Sequence, residues 1–321
     1  MNLDKSAAYN NIVVMGLGGV GGYFGGIFAI NITSNWRDKR DLTFIARGAH
    51  LEAMKRNGLT LKLYKQDPVV CIPKVITDNI LELPYVNFLL LAVKDYDLDN
   101  AVRMALPRLN NLSVIMPLQN GIDSYYRIKE IAPKAIVLPS CAYISSKIEA
   151  PGVVKLMGDV AKIYSGPDPE RPDFDGTEIQ DFFKNMGLKL YWTEKPFEAI
   201  WRKFLFVSPF ALVTGATGKT MNEAYKDPEL HGSILKIMSE IQAVAAKKGV
   251  TLTDYDIDYA MRIGENIDPA AKTSFQLDLE NKKSMTEIDA LGSSLVKYGR
   301  ETGVETPETE KFIRRIVNGV L

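Results

Sequence analysis

Short apolar runs alternate with helical patterns along the first half of the chain. The runs lie at residues 12–15, 42–46, 86–93 and 113–116. They contain almost no polar positions, which is typical of strands in a parallel sheet whose two faces are both covered by helices. Helical patterns at residues 97–106 and 124–131 supply crossover connections between strands. The pattern therefore predicts an α/β fold built on a doubly wound parallel sheet.

The pattern changes after Pro139. Apolar runs at residues 153–156 and 162–164 flank Gly158 and Asp159, which favours a β-hairpin with its turn at those two residues. Residues 188–192 predict one further strand.

From residue 196 onward the apolar spacing is helical. Asp227 followed by Pro228 predicts the start of a helix that ends near Gly249. Residues 286–302 predict another helix, and Thr306 with Pro307 opens the last one. We therefore expect two domains, an N-terminal nucleotide-binding domain at residues 1–195 and an all-α C-terminal substrate and catalytic domain at residues 196–321.

Charge and composition exclude several classes of function. Lys and Arg total 39 and Asp and Glu total 39, so no basic field attracts nucleic acid or anionic lipid. The longest apolar run, residues 88–93, is too short to span a bilayer. Cys71, Cys141, His50 and His231 are scattered along the chain, which predicts neither a metal site nor a disulfide framework. We expect a cytoplasmic protein whose partner is a small molecule rather than nucleic acid or membrane.

A glycine-rich turn directly follows the first strand. The segment GLGGVG at residues 16–21 matches G-x-G-x-x-G, with Gly16, Gly18 and Gly21 at the motif positions and Gly19 and Val20 between them. The three motif glycines allow a tight turn, close approach to a pyrophosphate and close helix packing. The motif predicts a Rossmann-type dinucleotide-binding domain, although a purely structural glycine-rich turn is the alternative.

The end of the second strand bears on which dinucleotide is bound. NAD enzymes place an acidic residue there to bind the ribose 2′-hydroxyl. This chain has Arg47, with no acidic residue between Asp41 and Glu52. Because an arginine can pair with a 2′-phosphate, we expect NADP(H) as the cofactor. A solvated surface arginine is the alternative.

Five further segments stand in a characteristic order. They are VKDYD (residues 93–97), QNG (119–121), WRKF (201–204), SFQLD (274–278) and TEIDALG (286–292). Together they resemble the 2-dehydropantoate 2-reductase (ketopantoate reductase) family over essentially the whole chain. The resemblance implies a Rossmann domain followed by a helical domain, with the active site in the cleft between them. It also implies NADPH-dependent reduction of 2-dehydropantoate to (R)-pantoate, a step towards pantothenate and coenzyme A.

The resemblance assigns a role to each matching residue. Lys203 would be the proton donor and would bind substrate, and Asn120 would contact both nicotinamide and substrate. Lys94 would contact the cofactor, and Ser274 would bind the substrate carboxylate. Glu287 would be the second catalytic residue and would lie at the ribose or nicotinamide end of the cofactor.

General chemistry supports a cation at this site, since hydride delivery to a ketone builds negative charge on its oxygen. Each residue nevertheless has a simpler interpretation from local sequence. Lys203 would be a lysine at a helix edge and Asn120 a turn residue. Lys94 would be a solvated charge at a strand end, Ser274 a helix cap and Glu287 an acidic residue in a first helical turn.

Two positions depart from the family pattern. The family typically carries asparagine four and eight residues after the lysine, where this chain has Val207 and Ala211 with Pro209 between them. An apolar wall replaces two amides, and Asn222 is a candidate for restoring one polar contact. The alternatives are therefore a reductase of a different, more apolar 2-oxoacid, or a non-catalytic NADP-binding protein on the same fold. The sequence leaves the oligomeric state open, with a homodimer among the alternatives.

Overall fold

The structure is a computed structural model that describes residues 9–35 and 38–319. The strands in this part of the chain are β1 (Asn11–Met15), β2 (Asp41–Ile45), β3 (Leu59–Lys62), β4 (Val69–Cys71), β5 (Val75–Thr77), β6 (Phe88–Leu91), β7 (Val114–Pro117), β8 (Ile136–Val137), β9 (Ser140–Ala150), β10 (Val153–Ser165) and β11 (Lys189–Trp192). The α-helices are α1 (Gly19–Ser34), α2 (Gly48–Asn57), α3 (Leu98–Ala105), α4 (Ser124–Ile131), α5 (Thr177–Asn185), α6 (Pro196–Thr217), α7 (Met221–Lys226), α8 (Pro228–Lys247), α9 (Asp254–Glu265), α10 (Ser274–Glu280), α11 (Ser294–Thr302) and α12 (Pro307–Val317).

A six-stranded parallel sheet forms the centre of the N-terminal part. Its strand order is β5-β2-β1-β6-β7-β8, and every neighbouring pair is parallel. The strand order reverses direction between β1 and β6, and ligands of open α/β sheets bind outside the carboxyl ends of the strands at such a point. The predicted doubly wound α/β fold is confirmed, because the near-continuous apolar strands are buried on both faces.

A second, mixed sheet in the order β11-β10-β3-β4, with β9 paired to β10, was not predicted. The hairpin predicted with its turn at Gly158 and Asp159 is wrong, because β10 runs unbroken through both residues. The turn lies instead between β9 and β10, where Gly152 has a positive φ of 77°. Gly158 and Asp159 lie where the β9–β10 register shifts, between Leu156 and Ala161. A local bulge therefore produces the glycine signal that a tight turn would also give.

Helix α1 packs against strands of both sheets. This position explains its many glycines beyond the motif. A Cβ at Gly22 would lie 2.6 Å from Cγ2 of Val154, and a Cβ at Gly26 would lie 3.1 Å from Cδ2 of Leu61. Small residues thus let the second sheet approach, while Phe24 and Phe28 fill the shared core.

The C-terminal part is helical, with no strand among described residues 197–319. Asp227 caps α8 as predicted, accepting hydrogen bonds from the backbone N–H groups of Glu229 at 3.1 Å and Leu230 at 3.2 Å. The predicted helix at residues 286–302 begins two residues late. It opens with a π-helical turn, Asp289–Ser293, before α11.

The described chain forms two compact units. One comprises residues 9–119 and 124–196, and the other comprises residues 120–123 and 197–319. The helical unit therefore includes a four-residue segment that follows β7, which a single boundary near residue 195 does not capture. Among the helices of residues 9–35 and 38–319, none is long and apolar enough to cross a membrane.

Candidate active site

The glycine turn after β1 depends on close backbone approach. Gly16 has a φ of 93°, and a Cβ there would lie 2.5 Å from the backbone N of Val93. A Cβ at Gly21 would lie 2.0 Å from the carbonyl oxygen of Gly16. Any larger residue at either position would push the turn away from β6 or from α1.

The same turn leaves room where a diphosphate would lie. A Cβ at Gly18 would meet no atom of the described residues within 4 Å, and α1 begins at the next residue with no acidic side chain in its first turn. Gly19 packs against the backbone of Ser146, and Val20 packs against the core. The open space beside the N–H groups of a helix N-terminus fits a dinucleotide diphosphate.

Arg47 precedes α2 and is largely exposed, with 76% of its side chain accessible. Its guanidinium is paired with the carboxylate of Asp97. Local sequence around Arg47 does not indicate this acidic residue, because it lies 50 positions further along the chain, in the VKDYD segment after β6. Parallel strands bring the two turns to the same edge of the sheet.

Lys94 lies in this turn after β6 and is half-buried. Its neighbour Asp95 is buried and accepts two hydrogen bonds from Nη1 of Arg127, at 3.0 and 2.9 Å. Arg127, on α4, also pairs with Asp99 at 2.8 Å. This clamp fixes the backbone that carries Lys94 and Asp97, and nothing in the local sequence indicated it.

Lys203 and Asn120 meet within the helical unit. Lys203 lies on α6 with only 7% of its surface exposed, and its Nζ donates a 2.8 Å hydrogen bond to Oδ1 of Asn120. The neighbouring Trp201 and Phe204 are buried. The amide orientation of Asn120 follows, because an ammonium can only donate. Its Nδ2 is therefore directed away from the lysine as a hydrogen-bond donor.

Glu287 is buried, with 4% of its surface exposed, and lies two residues before the first residue of the π-helical turn, Asp289. Such turns are frequent at functional sites, and this one is held to α6 by a 2.6 Å hydrogen bond from Oγ of Ser208 to the carbonyl of Leu291.

Ser274 is the exposed first residue of α10. The helix cap is Thr273 instead, whose hydroxyl accepts from the backbone N of Gln276 at 3.1 Å.

The two histidines have local structural partners. Nδ1 of His50 accepts a 2.9 Å hydrogen bond from the backbone N of Gly152, and burial lowers the pKa of this imidazole. Nδ1 of His231 lies 2.9 Å from the carbonyl oxygen of Tyr225. Within the described residues, no group of three or more His, Cys, Asp or Glu side chains could hold a metal ion.

Family profiles match both units of the chain. The profile described as ketopantoate reductase PanE/ApbA matches residues 12–170, and its C-terminal counterpart matches residues 197–318. The chain belongs to the ketopantoate reductase family. Members of this family are oxidoreductases that act on a CH–OH group, and this chain is one of them.

Individual relatives align over nearly the whole chain. A 2-dehydropantoate 2-reductase of Mesorhizobium japonicum is 27% identical, covering 94% of this chain and 95% of that protein. A PanE/ApbA family ketopantoate reductase of Ralstonia eutropha JMP134 has a similar fold, with a TM-score of 0.85, 22% identity and coverage of 96% and 97%. D-mandelate dehydrogenase, solved with NADH and anilino(oxo)acetate, has a TM-score of 0.82 at 20% identity, with the same coverage.

The two positions that depart from the family pattern lie in apolar surroundings. Ala211 is buried in a cluster with Phe275 and Leu291, and Val207 packs against that cluster. Asn222, on α7, is 8% exposed. The chain therefore has one buried and one half-buried apolar side chain along α6 where the family pattern predicts two amides.

Proposed function

We propose that this protein reduces 2-dehydropantoate to (R)-pantoate with NADPH as the reductant. The observation that carries the proposal is the buried ammonium of Lys203, hydrogen-bonded to Asn120. An oxidoreductase that reduces a ketone needs a proton donor at the carbonyl oxygen. The Mesorhizobium japonicum relative, named 2-dehydropantoate 2-reductase, supports the choice of substrate.

In the proposed mechanism, the glycine turn, Arg47 and Lys94 hold the cofactor, which when bound supplies the hydride for C2 of the oxoacid. Lys203 donates a proton from Nζ to the ketone oxygen as negative charge develops there. Asn120 orients the ammonium through Oδ1, and its Nδ2 is left to donate to the ligand. Solvent then reprotonates Lys203, which balances the proton transferred to the product hydroxyl. Ser274 binds the substrate carboxylate in this proposal, and Glu287 lies at the nicotinamide end.

The direct test of this function is a steady-state assay of the purified protein with 2-dehydropantoate, following the loss of NADPH absorbance. We expect saturable turnover and chiral (R)-pantoate as the product. A protein that binds NADPH yet reduces no oxoacid would contradict the proposal.

The choice of NADPH rests on Arg47. Its pair with Asp97 is exposed, and exposed ion pairs of this kind contribute only about 0 to 1 kcal/mol. A phosphate dianion offers more acceptor atoms and more charge than this carboxylate, so it competes well for the guanidinium. The D-mandelate dehydrogenase neighbour was solved with NADH, which makes a direct comparison of the two cofactors necessary.

Replacing Arg47 with alanine is expected to raise KM for NADPH about 10- to 100-fold, because charge-assisted hydrogen bonds to the 2′-phosphate are lost. KM for NADH should change less than about threefold, since no 2′-phosphate is present. Arg56→Ala, at the other end of α2, is the matched control. Equal losses for both cofactors would contradict a role for Arg47 in binding the 2′-phosphate.

A second candidate substrate is a more apolar 2-oxoacid. The observation that favours it is the buried apolar cluster of Ala211 and Phe275, against which the half-buried Val207 packs. The D-mandelate dehydrogenase neighbour holds anilino(oxo)acetate, which carries an aromatic group beside its oxoacid. Comparison of kcat/KM for 2-dehydropantoate, 3-methyl-2-oxobutanoate and phenylglyoxylate would distinguish the two candidates.

The variant Val207→Asn tests the role of Val207, the half-buried residue beside this apolar cluster. If Val207 faces the substrate, this change should shift the kcat/KM ratio towards 2-dehydropantoate, the oxoacid with a hydroxyl group, by about tenfold. Val207→Ala removes bulk without adding an amide and should leave the ratio within about threefold. An unchanged ratio in both variants would show that Val207 does not contact the substrate.

A further inference from the structure

Gln119 occupies a central place at the carboxyl edge of the parallel sheet. It follows β7 by two residues, next to the turn after β6 that carries Lys94. Its Nε2 donates hydrogen bonds to the carbonyl oxygens of Leu91 and Val93, both at 3.1 Å. The amide of Gln119 thereby ties together the two turns that follow β6 and β7.

These bonds fix the orientation of the amide. Backbone carbonyls only accept hydrogen bonds, so the atom facing both of them must be the Nε2 donor. Oε1 is therefore directed away from Leu91 and Val93. Within the described residues it is buried without any hydrogen-bond partner, and only 6% of Gln119 is exposed.

A buried acceptor without a partner costs free energy, and native structures rarely retain one without a reason. The two hydrogen bonds that Gln119 donates do not explain why a buried Oε1 is retained, because they use only Nε2. A ligand that brings a hydrogen-bond donor to Oε1 would explain it.

The strand order indicates which part of a dinucleotide would donate a hydrogen bond to Oε1 of Gln119. The glycine turn follows β1 and Arg47 follows β2, on one side of the reversal in strand order. These residues fit the diphosphate and the adenosine half. Gln119 follows β7, on the other side, which leaves that side for the nicotinamide–ribose half. Its ribose hydroxyls and carboxamide N–H group are neutral donors that suit an amide oxygen.

We propose that Oε1 of Gln119 accepts a hydrogen bond from the nicotinamide–ribose half of the cofactor, while Nε2 holds the turns after β6 and β7 together. The inference rests on the proposed use of NADPH. It adds a cofactor-contacting residue that also positions the neighbouring Lys94 turn.

The test is calorimetric titration of the full chain, without oxoacid, with NADPH and with adenosine 2′,5′-bisphosphate, which lacks the nicotinamide half. Gln119→Met removes both the donor and the acceptor. We expect it to weaken NADPH binding about 5- to 20-fold and to leave adenosine 2′,5′-bisphosphate binding within about twofold. Thermal unfolding without ligand checks that the variant is folded.

Gln119→Lys separates the two functions of the side chain. Lysine can still donate to both carbonyls, but it offers no acceptor. Its positive charge favours binding of an anionic dinucleotide, so weaker NADPH binding in this variant would come from the lost acceptor. We expect a loss similar to that of Gln119→Met, again with adenosine 2′,5′-bisphosphate little affected.

Two results would overturn the inference about Gln119 without affecting the proposed use of NADPH. One is wild-type affinity for NADPH in Gln119→Lys, which would show that only the donor matters. The other is equal weakening of both ligands, which would show a general structural effect. A wild-type protein that binds neither ligand would overturn the proposed cofactor as well, so the two failures can be distinguished.

Discussion

Replacing Lys203 with alanine is expected to lower kcat/KM for the oxoacid roughly 100- to 10,000-fold, the range for loss of a positioned general acid. The ammonium is buried and held by Asn120 at 2.8 Å, so water cannot readily take its place. The loss should appear in kcat as well, because charge on the ketone oxygen develops only in the transition state. Steady-state kinetics with NADPH and each oxoacid measures this effect.

Arg202→Ala is the matched control for that experiment. Arg202 is the next residue towards the start of α6, and its exposed guanidinium pairs with Glu198 and Asp256. We expect its kcat to stay within about threefold of wild type, since surface ion pairs contribute little. NADPH affinity should also be similar in both variants. If Lys203→Ala kept near-normal kcat/KM, the proposed proton donor would be wrong.

Replacing Asp168 with alanine is expected to give the largest loss of stability, about 3 to 5 kcal/mol in the free energy of unfolding of the N-terminal unit. This carboxylate is fully buried. It accepts hydrogen bonds from Tyr125 Oη at 2.7 Å, Lys129 Nζ at 3.1 Å and the backbone N of Val137 at 2.9 Å. Without it, the buried ammonium of Lys129 loses its main counter-ion, although Glu170 lies 3.3 Å away.

Asp173→Ala provides the comparison within the same loop. Its carboxylate pairs with Arg171 at the surface, with 70% of the side chain exposed, and we expect only a small loss of stability because solvent screens such pairs. Urea unfolding followed by fluorescence measures both variants. In a Lys129→Met background the cost of Asp168→Ala should fall, because no buried cation is left uncompensated. An equal cost in both backgrounds would exclude the ion pair as the cause.

Local sequence predicted the features that depend on neighbours in the chain. The apolar runs located β1, β2, β6 and β7 to within a few residues, because strands buried on both faces are apolar throughout. The starts of α8 and α12 were also readable, because Asp227 caps α8 and a proline occupies the first turn of each helix. The second sheet was not recognised, because β3 and β10 pair across about 90 residues.

In the candidate site too, local sequence predicted individual residues but not the contacts between distant segments. The motifs and their order along the chain indicated four candidate residues: Arg47, Lys94, Asn120 and Lys203. Each of these residues also had a simple structural interpretation from local sequence. The pairing of Arg47 with Asp97 was missed, as was the clamp from Arg127. Both join residues that are distant in sequence, because Asp95 and Asp97 lie after β6 whereas Arg47 follows β2 and Arg127 lies on α4.

The sequence by itself determined the central strands β1, β2, β6 and β7, the glycine turn after β1 and the resemblance to a reductase family, since each depends on residue types at short or regular spacing. Only the tertiary structure decided that Lys203 is buried against Asn120, that Asp97 neutralises Arg47 and that Oε1 of Gln119 lacks a partner in the part of the chain that the structure describes. The physical reason is that burial and hydrogen-bond pairing depend on which distant segments fold together. The spacing of residues along the chain does not predict those contacts.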